Sequence, residues 1–301
     1  MRARQGECIR NAGQGHCTPA EYAKRGEMSL VRAYCLTIRS TLEIPGALTG
    51  GAGPVDIVIS EGPVPAEGAQ QRPYLLREDG RLVFEMAGVA RYLCDPQSIV
   101  FERVDDAPDA TIAGYLIATA LPALLWMRGE IVLHAAAAML PGATSAFAVM
   151  GESGSGKSTL LRALVAMGAR IVADDTICVR QTATGVEASG LAGGYFLGEA
   201  PRVFHPVEGG LDGAPLAGIA LLETPRAAGP PEIHRVPRLE ALTTLIANRH
   251  RPRVPLLLGL LPGLMVPMAE LGGALPVHRW KRREGAATLE PEEIALLGGA
   301  A

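Results

Sequence analysis

The front third of the chain alternates between apolar and polar residues. VRAYCLTIRS (31–40) and VDIVIS (55–60) repeat with a period of two, as half-buried strands do. RPYLLRE (72–78), RLVFEMA (81–87), ARYLC (90–94) and SIVFERV (98–104) continue the series, and Asp79-Gly80 separates two of them as a hairpin turn. Residues 28–106 therefore read as a β-rich module, preceded by an extension (1–27) without apolar periodicity that is either disordered or upstream of an alternative start at Met28. After the break at Asp105, Asp106 and Pro108, the spacing predicts a helix over 109–127 with Asp109 as its N-cap. A strand, EIVLHAAAAML (130–140), and a Pro141-Gly142 turn follow. AFAVM (146–150) reads as a buried strand, STLLRALVAMG (158–168) as a helix stopped by Gly168, and RIVADDTICVR (170–180) as a strand ending in a turn at Thr184-Gly185. The Gly- and Pro-rich stretch 190–235 gives no clear period. Beyond it the pattern predicts a helix over 237–250, a strand at 277–282 and a short helix opened by Pro291. Residues 107–301 thus form the second unit, with an α/β alternation.

Between the buried strand and its helix lies GESGSGKS (151–158), which fits G-x-x-x-x-G-K-[ST] at Gly151, Gly156, Lys157 and Ser158. The strand–loop–helix context is what a phosphate-binding loop requires. Glycines let the backbone N–H groups turn inward, and the helix start adds positive potential. Ser153, Gly154, Ser155 and Thr159 complete the expected ATP cradle, with Lys157 reaching the β/γ-phosphates and Ser158 ligating Mg²⁺. The chain has only three lysines (Lys24, Lys157 and Lys281), and one occupies the loop position that calls for a compact ammonium.

Composition narrows the classes. Nearly half of the 301 residues are apolar (48%), enough for a sizeable core, and the net charge of −3 provides no basic footprint for nucleic acid. The five cysteines (Cys8, Cys17, Cys35, Cys94, Cys178) show no C-x-x-C spacing, which favours reduced thiols in a cytoplasmic protein over a zinc site or a disulfide framework. Two apolar stretches, 112–127 and 254–269, are short or broken by Pro and Gly, and read as buried helices rather than membrane spans.

Two further features bear on chemistry. Asp174 and Asp175 end a strand soon after the loop helix, and His134 interrupts an otherwise apolar strand. The segment LHAAAAML…FAVMGESGSGKSTLLRALVAMGARIVADDTICV resembles the kinase core of the HPr kinase/phosphorylase family, in the histidine-bearing strand, the loop and the Ala-Asp-Asp strand end. The front segment VRAYCLTIRSTLEIP…PVDIVISEGPVP resembles the β-rich lead-in of shorter homologues, some of which phosphorylate a serine of lasso-peptide precursors. The resemblance implies an α/β phosphate-loop fold with a mixed sheet, ATP and Mg²⁺ as cofactors, a serine-bearing peptide or small protein as acceptor, and a homo-oligomer. It implies Asp174 as general base and Asp175 in the Mg²⁺ shell, in an order open to reversal, with His134 near the γ-phosphate. The charged motif that the bifunctional enzymes carry after the Asp-Asp strand is not evident in ASGLAGGYFLGEAPR, where Glu199 or Arg202 would stand in, and this favours a dedicated kinase.

Arg249 and Arg251 are candidates for neutralising transition-state charge, or form a solvated basic face at a helix C-terminus. His278, Arg279, Lys281, Arg282 and Arg283 would grip an acidic peptide or lie on the surface. A transporter-type ATPase is the main rival reading, but no LSGGQ-like signature and no apolar run ending in Asp-Glu follows residue 160. A non-catalytic nucleotide-binding regulator is the other.

Overall fold

A computed structural model of the chain describes residues 28–51, 53–65, 74–198, 203–224, 226–286 and 288–298. Eight strands make the first sheet: β1 (Ser29–Ala33), β2 (Leu36–Ser40), β3 (Leu48–Thr49), β4 (Ile57–Glu61), β5 (Leu75–Leu76), β6 (Leu82–Met86), β7 (Ala90–Cys94) and β8 (Ser98–Arg103). Their order is β3-β1-β2-β4-β8-β7-β6-β5, antiparallel except for the parallel contacts of β4 with β2 and β8. The β5–β6 hairpin turns at Asp79-Gly80 as the sequence predicts, with Gly80 at φ 80°.

The run 31–40, expected as one strand, is a hairpin instead. Ala33 pairs with Leu36 across Tyr34 and Cys35, both at φ 58°. Such a turn usually advertises itself with Asn-Gly or Asp-Gly. Here Asp212, distant in sequence, supports it: its carboxylate accepts the Cys35 N–H at 3.0 Å and pairs with Arg32 at 2.6 Å.

The helix α1 (Asp109–Met127) crosses between the sheets. Pro108, not Asp109, takes the N-cap position, and the Asp109 carboxylate instead pairs with Arg103 at 2.6 Å. Residues 116–120 widen into a π turn just ahead of Pro122, which has no N–H to continue the ladder. By length and composition α1 would suffice to cross a membrane, yet 67% of its apolar window is buried inside this fold. It belongs to one hydrophobic cluster that runs from Ile38, Ile57 and Phe101 through Leu121 and Trp126 to Leu133, Ala148 and Ile177.

The second sheet holds β9 (Ile131–Leu133), β10 (Ala135–Met139), β11 (Ala146–Met150), β12 (Arg170–Ala173), β13 (Ile177–Thr182) and β14 (Gly185–Gly190). A small hairpin, β15 (Gly194–Leu197) with β16 (Val203–Pro206), stands apart. It is followed by β17 (Gly213–Leu222), β18 (Glu232–Arg235) and β19 (Val277–Lys281). The order is β12-β10-β11-β17-β14-β13-β9, with β19 also beside β17 and β18 beside β19. Helix α2 (Lys157–Ala166) covers β10, whose alanines allow the close approach. The fold class is therefore the expected one: a mixed α/β phosphate-loop core behind a β-rich N-terminal module.

Two strands expected to be continuous are broken at the same level. His134 separates β9 from β10, and Asp174 to Thr176 separate β12 from β13. At these breaks both segments leave one half of the sheet for the other, since β9 pairs with β13 while β10 pairs with β11 and β12. The acid-bearing strand therefore does not flank the loop strand directly, because β10 lies between them.

Helices α3 (Arg238–Ala247), α4 (Arg253–Leu257), α5 (Leu261–Ala274) and α6 (Pro291–Leu297) complete the chain. Burial of the apolar 254–269 stretch is only partial. Val254, Leu264 and Met268 point inward, whereas Leu256, Leu257, Met265 and Val266 are exposed.

Candidate functional site

Strand β11 ends at Met150 and the glycine-rich loop 151–156 follows, closed by the Ser155 N–H donating to the Glu152 carbonyl at 3.1 Å. Gly156, at φ 97°, is the left-handed N-cap from which α2 departs, a conformation that disfavours any residue with a Cβ. Lys157 is buried and folds back on its own loop, donating to the carbonyls of Gly151 (2.7 Å) and Glu152 (3.0 Å). Ser153, Gly154 and Thr159 are exposed around the loop, and Ser158 is half-buried. The Ser155 hydroxyl is buried without a hydrogen-bond partner.

Strand β12 has ended before the acids, so strand alternation does not govern them. Asp174 is buried and accepts the Ser158 hydroxyl at 3.3 Å and the Phe196 N–H at 2.8 Å. Asp175 follows at φ 68°, a left-handed kink that turns its carboxylate toward His134. His134 Nδ1 lies 2.9 Å from the Asp175 carbonyl oxygen and 3.7 Å from its carboxylate. The His134 backbone N–H, lost to the sheet at the break, donates to the Asn248 carbonyl at 2.8 Å.

A residue that sequence reasoning passed over completes this group. His250 is buried, with its ring 5.2 Å from that of His134 and its Nδ1 2.7 Å from the Thr176 hydroxyl. Burial pulls its pKa far below the usual histidine value and keeps it neutral, although the Asp175 charge acts in the opposite direction. Ligand atoms of His134, Asp175 and His250 all lie within 4.8 Å of one another. The oxygens of Ser158 and Asp174 form a separate pair suited to a hard cation such as Mg²⁺.

The acids face a cavity of about 460 Å³. Asp174, Asp175, Thr176 and Arg251 supply its polar wall. Tyr115 and Ile117 of α1, Phe196 and Phe204 of the β15–β16 hairpin, and Pro45-Gly46 of the N-terminal module are among its other lining residues. Of the two candidate arginines, Arg251 lines this cavity, tied to the Ala118 carbonyl at 2.7 Å. Arg249 does not. It is spent on the Ile246 carbonyl at 2.8 Å, and burial lowers its pKa.

The late basic cluster is largely paired internally. Arg279 binds Glu223 and Glu240, Lys281 binds Glu232, Arg282 binds Glu293 and Arg283 binds Glu290, while His278 is buried. Glu199 and Arg202 lie outside the described residues, as do Cys8 and Cys17. The described cysteines, Cys35, Cys94 and Cys178, are free thiols.

No protein-family model matches the chain, and no curated protein matches it. Among solved structures, the Hpr(Ser) kinase/phosphatase from Coxiella burnetii aligns with 52% of this chain and 82% of its own, at 15% identity and a TM-score of 0.32, a likeness too slight to carry an argument.

Proposed function

We propose that the protein is an ATP-dependent kinase that transfers the γ-phosphoryl group to the hydroxyl of a serine-bearing peptide or small protein. The observation that carries this reading is the junction of two elements: Asp174, at the tip of β12, reaches Ser158 of the loop helix, while it and its neighbour Asp175 both line the cavity. A nucleotide cradle and an acceptor pocket thus meet across a pair of carboxylates. Phosphoryl transfer needs little more than positioning and charge compensation at such a junction.

The loop glycines and Lys157 bind the phosphate chain, and Lys157 exchanges the Gly151 and Glu152 carbonyls for phosphate oxygens. Ser158 and Asp174 would hold Mg²⁺, which when bound neutralises charge on the β- and γ-phosphates. The contact between Ser158 and Asp174 favours the reversed order of roles, so Asp175 is the base that accepts the proton of the acceptor hydroxyl. His134 holds the Asp175 peptide unit, and Arg251, on the cavity wall, steadies negative charge on the acceptor side. An acceptor seated against the apolar walls from α1 and Phe196 would displace water, which favours transfer to an alcohol over hydrolysis.

A lasso-type precursor peptide is the preferred acceptor on the motif resemblance alone. The test is mass spectrometry of candidate serine peptides after incubation with the protein, ATP and Mg²⁺. A phosphoserine product that disappears with Asp175→Asn supports the reading. Rapid hydrolysis with no phosphorylated acceptor would instead favour a transporter-type ATPase, and nucleotide binding with neither activity would favour a regulatory module.

A further inference from the structure

Arg226 lies four residues past the end of β17, the strand that runs parallel to the loop strand β11 and delivers its C-terminal end to the same edge of the sheet. Its Nη2 donates to the Ser155 carbonyl, and it sits so close to Gly156 that a Cβ there would lie 2.7 Å from it. Its Nη1 is buried without a hydrogen-bond partner, as is the hydroxyl of Ser155, the residue whose carbonyl Nη2 holds. No carboxylate of the described residues lies within ion-pair distance of it. The acid that acts on it, Glu293, is already committed to Arg282 (3.0 Å), the Trp280 indole N–H (3.0 Å) and the Glu290 N–H (2.8 Å). Burial and the like charge of Arg282 both disfavour the Arg226 cation. Arg226 as a whole is half-buried, but its unpartnered Nη1 is a donor that an anion arriving from outside the chain would satisfy.

Resting on the nucleotide-binding reading of the loop, we propose that Arg226 is a nucleotide ligand. Its Nη1 donates to a phosphate oxygen of the bound nucleoside polyphosphate, while Nη2 remains anchored on Ser155. A guanidinium suits this double duty because its fork presents donors in two directions at once.

The full-length protein is titrated calorimetrically with MgATP and with Mg²⁺-tripolyphosphate, as wild type, Arg226→Met and Arg226→Lys. Loss of a charge-assisted contact predicts that Arg226→Met weakens both ligands by about tenfold or more, and that Arg226→Lys recovers part of the loss. The Arg226→Met deficit narrows as salt rises from about 0.1 M to about 1 M, because screening weakens the contact in the wild type. A role confined to bracing the loop would leave the deficit insensitive to salt and unrelieved by lysine, and that result overturns the proposal. A deficit seen with MgATP but absent with tripolyphosphate also overturns it, since the contact would then be with the base. Should Arg226→Met not fold, Arg226→Gln carries the same comparison. Wild type that binds neither ligand sinks the nucleotide reading itself. Wild type that binds both, with a neutral variant within twofold of it, sinks only the assignment of Arg226.

Discussion

Asp174→Asn tests the chemistry with little disturbance of the fold. The residue is 7% exposed, and its carboxylate accepts hydrogen bonds from the Ser158 hydroxyl at 3.3 Å and the Phe196 N–H at 2.8 Å. An asparagine of the same shape keeps an oxygen for the Phe196 N–H and turns its amide toward Ser158 Oγ, which is also an acceptor. Both contacts survive as neutral bonds, each weaker by about 1 kcal/mol than its charge-assisted form. The relief of not burying a charge offsets much of that difference. Stability should therefore change by no more than about 1–2 kcal/mol, readable as a small shift of the urea midpoint. Phosphoryl transfer should suffer far more, because a neutral amide compensates phosphate and metal charge poorly. A loss of at least about a hundredfold in kcat, or about 2.7 kcal/mol of transition-state stabilisation, is expected. Binding of metal-free ATP should stay within about twofold of wild type, because the loop amides and Lys157 are untouched. The assay is initial-rate phosphopeptide formation at saturating ATP and Mg²⁺, paired with calorimetric titration of metal-free ATP. A variant that transfers phosphate within threefold of the wild-type rate would refute the reasoning, since Asp174 would then be a structural hydrogen-bond acceptor alone.

Three other predictions follow from packing and charge. In Gly190→Ala the new Cβ would lie 2.3 Å from the Ala173 Cβ and 2.9 Å from the Thr176 carbonyl oxygen, so the acid-bearing turn must shift. The expected cost is about 1–3 kcal/mol in urea unfolding, and peptide phosphorylation should fall while nucleotide affinity holds. Glu293→Ala strips the partner from Arg282, in a pair whose side chains are 1% and 10% exposed, and should destabilise the fold by at least about 3 kcal/mol by the same measurement. His250 has its folded pKa lowered by burial, so it contributes stability above the unfolded value of about 6.5 and progressively loses it as pH falls toward the depressed value. Thermal midpoints of wild type should fall over that acid range more steeply than those of His250→Gln, and parallel curves would contradict the burial argument.

The elements that matter for the loop were legible because local signals and fold agree there. AFAVM is buried along its whole length, and the glycines of 151–156 occupy conformations suited to glycine. What was not legible depended on contacts distant in sequence. The Tyr34-Cys35 turn carries no turn residue and relies on Asp212. Strand β17, the parallel neighbour of the loop strand, contains Gly213, Pro215 and Gly218, which mask its period. At Gly218 a side chain would collide with Phe147 of β11, at 2.7 Å, so that glycine marks close packing rather than a loop. The acids and His134 read from the sequence as parts of continuous strands. The sheet splits at those residues, and no periodicity reports a split made by partner exchange. His250 was hidden among arginines, and Arg226 stood in the segment that carried no pattern at all.

Pro45 and Gly46 line the same cavity as the twin carboxylates, on a loop between strands of the other sheet. The cavity is therefore assembled from several stretches distant in sequence, and in the proposed reading the 45–46 stretch carries none of the reactive groups. If the proposed kinase reading holds, substitutions near residue 45 would reshape which alcohol fits without touching the loop at 151–158, so acceptor choice would drift across descendants of this fold while the reaction itself stayed constant.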